Sequence, residues 1–448
     1  MAATFTDQST GSITSWSWNF GDSGTAGVRN PVHIYQAEGS YTVSLTVNGP
    51  NGSDIETKTN YITVTAPQYE ELWTTYNNSN TGGAINNTVN GAAVETGGVR
   101  WFATNGGGLA KYDGTTWTKY TTSQGLANNT VYAVAFDGSG NKWIATIGGV
   151  NKYTGTSWTK YTSGNSALAN NNTRAIAVDN SGDVWVGTYA SGLCKFNGTS
   201  WTKYTTANSG LAGNGVRGIA VDSSNNKWIA TGGGVSMYDG TTWTKYVKPP
   251  LASLDTRAVA VAPNGNKWVA TLSGVNRLIG TSWVTYTTSD GLAKNDTQSI
   301  AVDAGGVVWA GSNGSGLSKF AGATPWTVFN TTNSGLVNNT VNAVTTESAV
   351  MIWLGAGSNV NQIRLVAGPS AAFTGSPTSG DAPLTVSFTD ASAGEITGWS
   401  WNFGDSPTST AQNPSHNYQT PGTFSVSLTV SGPGGSNTST RTNYTAYD

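Results

Sequence analysis

Apolar and polar residues alternate in short runs through the middle of the chain, and the runs come in groups of four. In one group they are VYAVAFD (131–137), KWIAT (142–146), GVNKYT (149–154) and SWTKYT (157–162). A period of two sends successive side chains to opposite faces, so each run predicts a strand and each group a twisted antiparallel sheet. The joints GSGN and TGT suit tight hairpins. Few long apolar runs and 58 glycines favour strands and turns over helices throughout.

The group then repeats. NGNKWVATLSGVNRLIGTSWVTY (264–286) restates SGNKWIATIGGVNKYTGTSWTKY (139–161) and SNNKWIATGGGVSMYDGTTWTKY (224–246). Tryptophans of the second run stand at 101, 143, 185, 228, 268, 309 and 353, and those of the fourth at 73, 117, 158, 201, 243, 283 and 326. Four strands in each of seven periods of about 42 residues predict a seven-bladed β-propeller. The first fourth-type run, LWTTY (72–76), precedes any inner strand, while the last period, VNAVTT, MIWLGA and NQIRLV, has none. The expectation is that strand 72–76 closes the ring by joining the last blade, which removes the sheet edges that an open array exposes. Both flanking segments would then emerge beside one blade.

The two ends of the chain restate each other as well. ITSWSWNFGD (13–22) returns as ITGWSWNFGD (396–405), and NPVHIYQAEGSYTVSLTV (30–47) as NPSHNYQTPGTFSVSLTV (413–430). W-x-F-G-D followed by N-P-x-H-x-Y and a Val/Leu-rich strand resembles the PKD domain, which implies an immunoglobulin-like β-sandwich at each end. The expected domains are therefore 1–66, 67–367 and 368–448. Nothing in the first copy corresponds to Pro369–Pro383, so its first strand is missing. The only histidines, His33 and His416, occupy equivalent positions and predict structural hydrogen bonds rather than metal ligation. PKD-like domains sometimes bind calcium, which makes Asp7, Asp22, Asp390 and Asp405 its candidates, against a turn-stabilising role.

GLANNTVYAVAFDGSGNKWIATIGGVNKY (125–153) resembles the two-component-regulator propeller repeat: G-L-x-x-N-x-V, a strand ending in Asp, G-N-x-W-x-x-T, then G-L/V-x-x-Y. The resemblance implies either the sensing part of a hybrid histidine kinase or a module of a secreted bacterial surface protein. No kinase core or receiver domain is present, and the PKD-like partners favour the surface branch.

Composition narrows the classes. Charged residues are 10% and the net charge is −2, so nothing marks a nucleic-acid partner. Cys194 is the only cysteine, which excludes an intrachain disulfide, and its sister positions predict a small residue on a strand. No apolar stretch is long enough for a membrane span. No charged-then-apolar leader opens the chain, which reads as a processed or excised piece.

For chemistry the candidates are few. The asparagines at 87, 129, 171, 214, 295 and 339 recur at one loop position and predict loop-ordering caps, with Leu254 breaking the series. Three residues later the repeats diverge, and Tyr132, Arg174, Arg217 and Arg257 form an expected cationic arc able to grip a carboxylate or sulfate, with the tyrosine free to stack on a sugar. Histidine is absent from the propeller, and the aspartates at 137, 179, 222 and 303 are spread around the ring, so no catalytic residues, metal or cofactor are expected. The reading is a non-catalytic, extracellular binding, adhesion or spacer protein whose propeller mouth binds a glycan or cell-surface protein. Its alternatives are a fibre segment built by head-to-tail self-association through the incomplete sandwich, a sensory ectodomain fragment, and a polysaccharide lyase or hydrolase.

Overall fold

The computed structural model describes residues 2–35, 39–64 and 69–447, and the boundary expected at 66/67 lies outside them. Among these residues the chain is all β, with no α-helix and two short 3-10 turns at Thr122–Gln124 and Thr288–Asp290. It divides into two compact units, Glu71–Val366 and the two end segments Met1–Glu70 and Ala367–Asp448 taken together.

The Glu71–Val366 unit is built from seven four-stranded antiparallel sheets among the described residues. The second sheet shows the pattern: Val131–Phe136, Lys142–Thr146, Gly149–Tyr153 and Trp158–Tyr161 pair in chain order. In the seventh, Val341–Ser348, Met351–Ala356 and Asn359–Ala367 are followed in the sheet by Tyr69–Tyr76 from the start of the unit. The Tyr76 hydroxyl donates to Gln362 Oε1 at 3.2 Å and Asn361 Nδ2 to Thr75 Oγ1 at 2.9 Å. Each first strand lies against the first strand of the next sheet, and that of the seventh against that of the first. Small residues permit this approach: a Cβ on Gly91 would stand 2.3 Å from the Tyr132 carbonyl oxygen.

The core sits between neighbouring sheets. Trp143 stacks on Tyr161 of its own sheet at 5.7 Å and meets Phe196 of the next at 5.8 Å. Ile85, Phe102 and Trp353 join the first and seventh sheets in the same way. Buried Cys194 is part of this packing, and burial pushes its thiol pKa up.

At the far end of four of the first strands a carboxylate ties two sheets. Asp179 Oδ2 accepts the Trp185 indole N–H at 2.9 Å and meets Lys227 of the next sheet at 3.1 Å. Glu95 holds Trp101 and Lys142, Asp222 holds Trp228 and Lys267, and Glu347 holds Trp353 and Arg100. Between the fifth and sixth sheets acid and base are lost together, as Ala262 and Val308, and Ala262 lines a 290 Å³ pocket.

Each end segment pairs two small sheets. In the first, Thr25–Ala26, Ser15–Asn19, Gly39–Gly49 and Gly52–Val64 form one and Ala2–Thr4 with Val32–Ile34 the other. In the second, Thr408–Ser409, Gly398–Asn402, Gly422–Gly432 and Gly435–Tyr447 face Phe373–Ser376, Leu384–Asp390 and Ser415–Tyr418. Phe5, Trp18, Phe20 and Tyr35 fill the first core, and Phe388, Trp401, Phe403 and Tyr418 their equivalents, joined there by Phe373. Among the described residues, Phe373–Ser376 has no counterpart in the first segment.

His33 Nε2 lies 2.8 Å from Asp22 Oδ2 and its ring stacks on Phe20 at 4.1 Å; His416 repeats this with Asp405 and Phe403. The donor set does not suit calcium. Asp7 accepts from Trp16 and Arg29, and Ser9 is the largest of the influences that hold its carboxyl down at about 2. Asp390 accepts from Trp399, Ser392 and Gln412. Asp22 Oδ1 takes the Gly24 N–H, whereas Asp405 Oδ1 is left without a partner because Pro407 stands at that position and has no N–H to give. Among the described residues no three His, Cys, Asp or Glu side chains converge on a metal position.

Candidate functional site at the mouth of the central cavity

The first strands of all seven sheets line one cavity of 790 Å³. Its mouth is formed where each chain enters its first strand, because the preceding loops are held rigidly. In five sheets a loop asparagine, such as Asn129 or Asn214, accepts a backbone N–H from the loop's beginning, at 2.8 and 2.9 Å in these two. The buried Asn151 secures the same loop from the neighbouring strand, accepting from Ala127 N and donating to Gly125 O. The recurring asparagines therefore order loops, as side-chain-to-backbone bonding predicts.

Tyr132, Arg174, Arg217 and Arg257 all line this cavity, with Asn90, Gln298 and Asn342 at the equivalent positions of the other sheets. Their environments differ. The Arg174 guanidinium lies 3.9 Å above the Tyr132 ring centre and 4.9 Å from that of Tyr189, and its Nε donates to Asn172 Oδ1 at 2.9 Å. Two aromatic faces and one hydrogen bond thus fix its position. Its two terminal nitrogens bond nothing else among the described residues. One face of Tyr132 is consequently covered by a cation instead of being open to a sugar ring.

Arg217 and Arg257 share a counter-ion that sequence reasoning did not find. Asp255 contacts Arg217, and Arg257 Nε lies 3.0 Å from its Oδ1 while the Arg257 terminal nitrogen donates to Oδ2 at 3.3 Å. The Nε–Oδ1 approach is off-line, so it is a charge contact and not a hydrogen bond. Arg257 also donates to Gln298 at 3.2 Å. Burial and then the neighbouring Arg257 charge pull the Arg217 pKa down, and Tyr189 opposes both. The expected arc of three equivalent cations is therefore one free guanidinium beside a half-neutralised pair.

A second ring escaped the sequence as well: the residue after each second strand. Ile147, Tyr189 and Leu272 sit there, each donating its N–H to the residue before a first strand, at 3.1, 2.9 and 3.1 Å. All three side chains are exposed, as is Leu254 beside Leu272. The opposite rim carries Asn105, Asn313 and Gly357 at this position.

Comparison with known proteins places these parts. Residues 1–64 and 366–446 match the family model of the PKD domain, and residues 167–190 that of the two component regulator propeller. A stretch of the chain is 37% identical over 68 residues to Collagenase ColA of Bacillus cereus, which covers 15% of this chain and 7% of that one. Among solved structures, the extracellular domain of the hybrid two component system BT3049 from B. thetaiotaomicron is 19% identical with a TM-score of 0.57, over 89% of this chain and 59% of that one. PorZ, a bacterial surface component of the type-IX secretion system of Porphyromonas gingivalis, is 14% identical with a TM-score of 0.54, over 95% and 67%. A catalytically inactive virginiamycin B lyase from Staphylococcus aureus, with a histidine replaced by alanine, is 13% identical with a TM-score of 0.55, over 66% and 100%. At these identities the likeness to the solved structures is one of fold. Among the described residues no helix is long and apolar enough to cross a membrane.

Proposed function

We propose that this chain, with PKD domains at its ends and two-component-regulator propeller repeats between them, is a non-catalytic extracellular binding module. Its seven sheets are the blades of one closed propeller, completed by strand Tyr69–Tyr76, and segments 1–66 and 368–448 are spacers flanking 67–367. The mouth of the central cavity grips an anionic group displayed by a cell-surface molecule. The observation that carries this reading is Arg174, immobilised by Tyr132, Tyr189 and Asn172 with both terminal nitrogens unspent. A pre-organised guanidinium fork matches a carboxylate or sulfate at little entropic cost.

An extracellular setting is supported by the fold-level likeness to an extracellular sensor domain and a bacterial surface component. Catalysis is disfavoured by the side chains available. The lyase of the same fold is inactive once a histidine is replaced, whereas residues 71–366 of this chain contain no histidine. The test is an array carrying both acidic glycans and acidic peptides, probed with the chain and with its Arg174→Ala/Arg217→Ala/Arg257→Ala variant. Retention lost in the variant is the expected result; equal retention by both proteins sinks the reading.

A second reading rests on the first end segment. Among the described residues Ala2–Thr4 pairs on one side only, whereas the equivalent strand Leu384–Asp390 pairs on both. An unpaired edge over an aromatic core is a template for an added strand. Concentration-dependent oligomers that a peptide of residues 369–383 dissolves would favour a fibre segment, and a monomer at all concentrations would end that reading.

A further inference from the structure

The rim of the cavity is divided, and the division says what kind of molecule fits it. On the arc from the second to the fifth sheet the rim is apolar: Ile147 is 39% exposed, Tyr189 62%, Leu254 42% and Leu272 43%. Glycines 215 and 232 of the fourth sheet stand between Tyr189 and Leu272, leaving a notch with no side chain. The three arginines lie below this same arc, on the third, fourth and fifth sheets. Cationic floor and apolar rim therefore face one side of the mouth together. Sheet five departs furthest from the repeat, since Leu254 replaces the loop-capping asparagine and Asp255 holds two of the arginines.

A glycan suits this arrangement poorly. Sugar recognition relies on aromatic faces for the ring and on polar groups for the hydroxyls, yet both tyrosines here have a face turned to Arg174. The remaining exposed rim groups are aliphatic, and burying them against hydroxyls would desolvate polar groups without a partner. A polypeptide segment carries both groups that complement the site, a carboxylate for the arginines and, close to it in sequence, aliphatic or aromatic side chains for the rim. Its backbone can run through the glycine notch, where no Cβ obstructs it.

Resting on the reading of the mouth as an anion-binding site, we propose that its occupant is an acidic, apolar-flanked segment of a partner protein. An Asp, Glu or terminal carboxylate enters the cavity to meet the Arg174 fork, with Arg217 and Arg257 beyond it. Flanking Leu, Ile, Val or Phe side chains cover Tyr189 on one side of the notch and Leu254 and Leu272 on the other. Three exposed residues that serve no core thus become the specificity elements, and the polar rim opposite stays in water.

The experiment pans a displayed library of random 12-residue peptides against the full chain, with an acidic-glycan array run in parallel. Expected is enrichment of peptides with an Asp or Glu, or a free C-terminus, within about three residues of a large apolar side chain. Synthetic copies should bind Arg174→Gln about tenfold or more weakly and should also weaken with Leu272→Ser, while Asn105→Ser leaves binding unchanged. Thermal unfolding of each variant separates lost contact from lost fold, and Leu272→Ser, at an exposed side chain, serves where Arg174→Gln does not fold. Glycan binding abolished by Arg174→Gln, with no peptide enriched, overturns this inference and leaves the anion-binding reading standing. Enriched peptides insensitive to both Arg174→Gln and Leu272→Ser overturn it too, and no Arg174-dependent binding on either platform removes both.

Discussion

Every first strand of the Glu71–Val366 unit has two ends, and they follow different rules. Entering the strand, equivalent positions hold Asn90, Tyr132, Arg174, Arg217, Arg257, Gln298 and Asn342. Leaving it, they hold Glu95, Asp137, Asp179, Asp222, Ala262, Asp303 and Glu347, and each of the six acids accepts the indole N–H six residues on. The exit end repeats in six of the seven sheets because the tryptophan indole N–H there takes the carboxylate as its acceptor. Where a lysine or arginine of the next sheet joins, the same carboxylate also fastens neighbour to neighbour. The entry end faces the cavity and carries no such obligation, so its residues are free to serve a ligand. Repetition marks what holds the fold, and departure from it marks what the fold presents.

That contrast can be broken by substitution. The largest loss is expected from Asp179→Asn, because Asp179 and Lys227 have only 2% and 5% of their side chains exposed. Leaving a buried lysine unpaired should cost about 3 kcal/mol of unfolding free energy, read by guanidinium titration. Acid should act on the same set. Burial alone would raise the Asp179 and Asp222 carboxyls, but Trp185 with Lys227, and Trp228 with Asn226 and Lys267, hold both below the usual range. A depressed folded pKa stabilises above the unfolded value, so this contribution should be intact from pH 7 to 5 and fall away below about 4. Asp179→Asn should flatten that acid limb, and an unchanged limb would assign it to other groups.

The exception at sheet five sharpens the comparison. Ala262→Asp alone should destabilise by about 1–3 kcal/mol, since it buries a charge where Val308 of the next sheet stands in place of the lysine. Adding Val308→Lys should restore part of the loss, with a coupling of about 1 kcal/mol in a double-mutant cycle. No coupling would mean that the acid–lysine register does not extend to this pair. At the entry end, Asp255→Asn should change stability by less than about 1 kcal/mol while tightening anion binding, because it frees Arg217 and Arg257. Asn342→Ala should stay within about 0.5 kcal/mol by thermal unfolding.

The sheets were legible in the sequence because strand alternation and the tryptophan spacing are local and repeat seven times. The cavity-facing position was legible for a related reason: aligned repeats show one column that refuses to repeat. What lay beyond reach was pairing across sheets. That Asp255 serves Arg217, 38 residues before it, depends on how adjacent sheets abut, and no periodicity encodes that. Tyr189 was hidden by a one-residue lengthening of its hairpin, TYASG against TIGG, which blurs the column it belongs to. Leu254 did carry a signal, as the residue that breaks the asparagine series, but its neighbour Leu272 is named only by the backbone bond between their loops.

One pairing governs when this protein can become itself. Tyr76 bonds Gln362, 286 residues later, so the strand made first in its unit finds its partner among the last. At a ribosome's pace of roughly 5–20 residues per second, that wait is about 15–60 s. Joining ends so far apart costs about 5 kcal/mol of chain entropy. An array of stacked repeats can settle progressively as it emerges, each copy on the one before. Here Tyr69–Tyr76 stays unpaired until residues 359–367 have been made, and a nascent chain halted short of them offers a strand edge to proteases and to other unfinished copies.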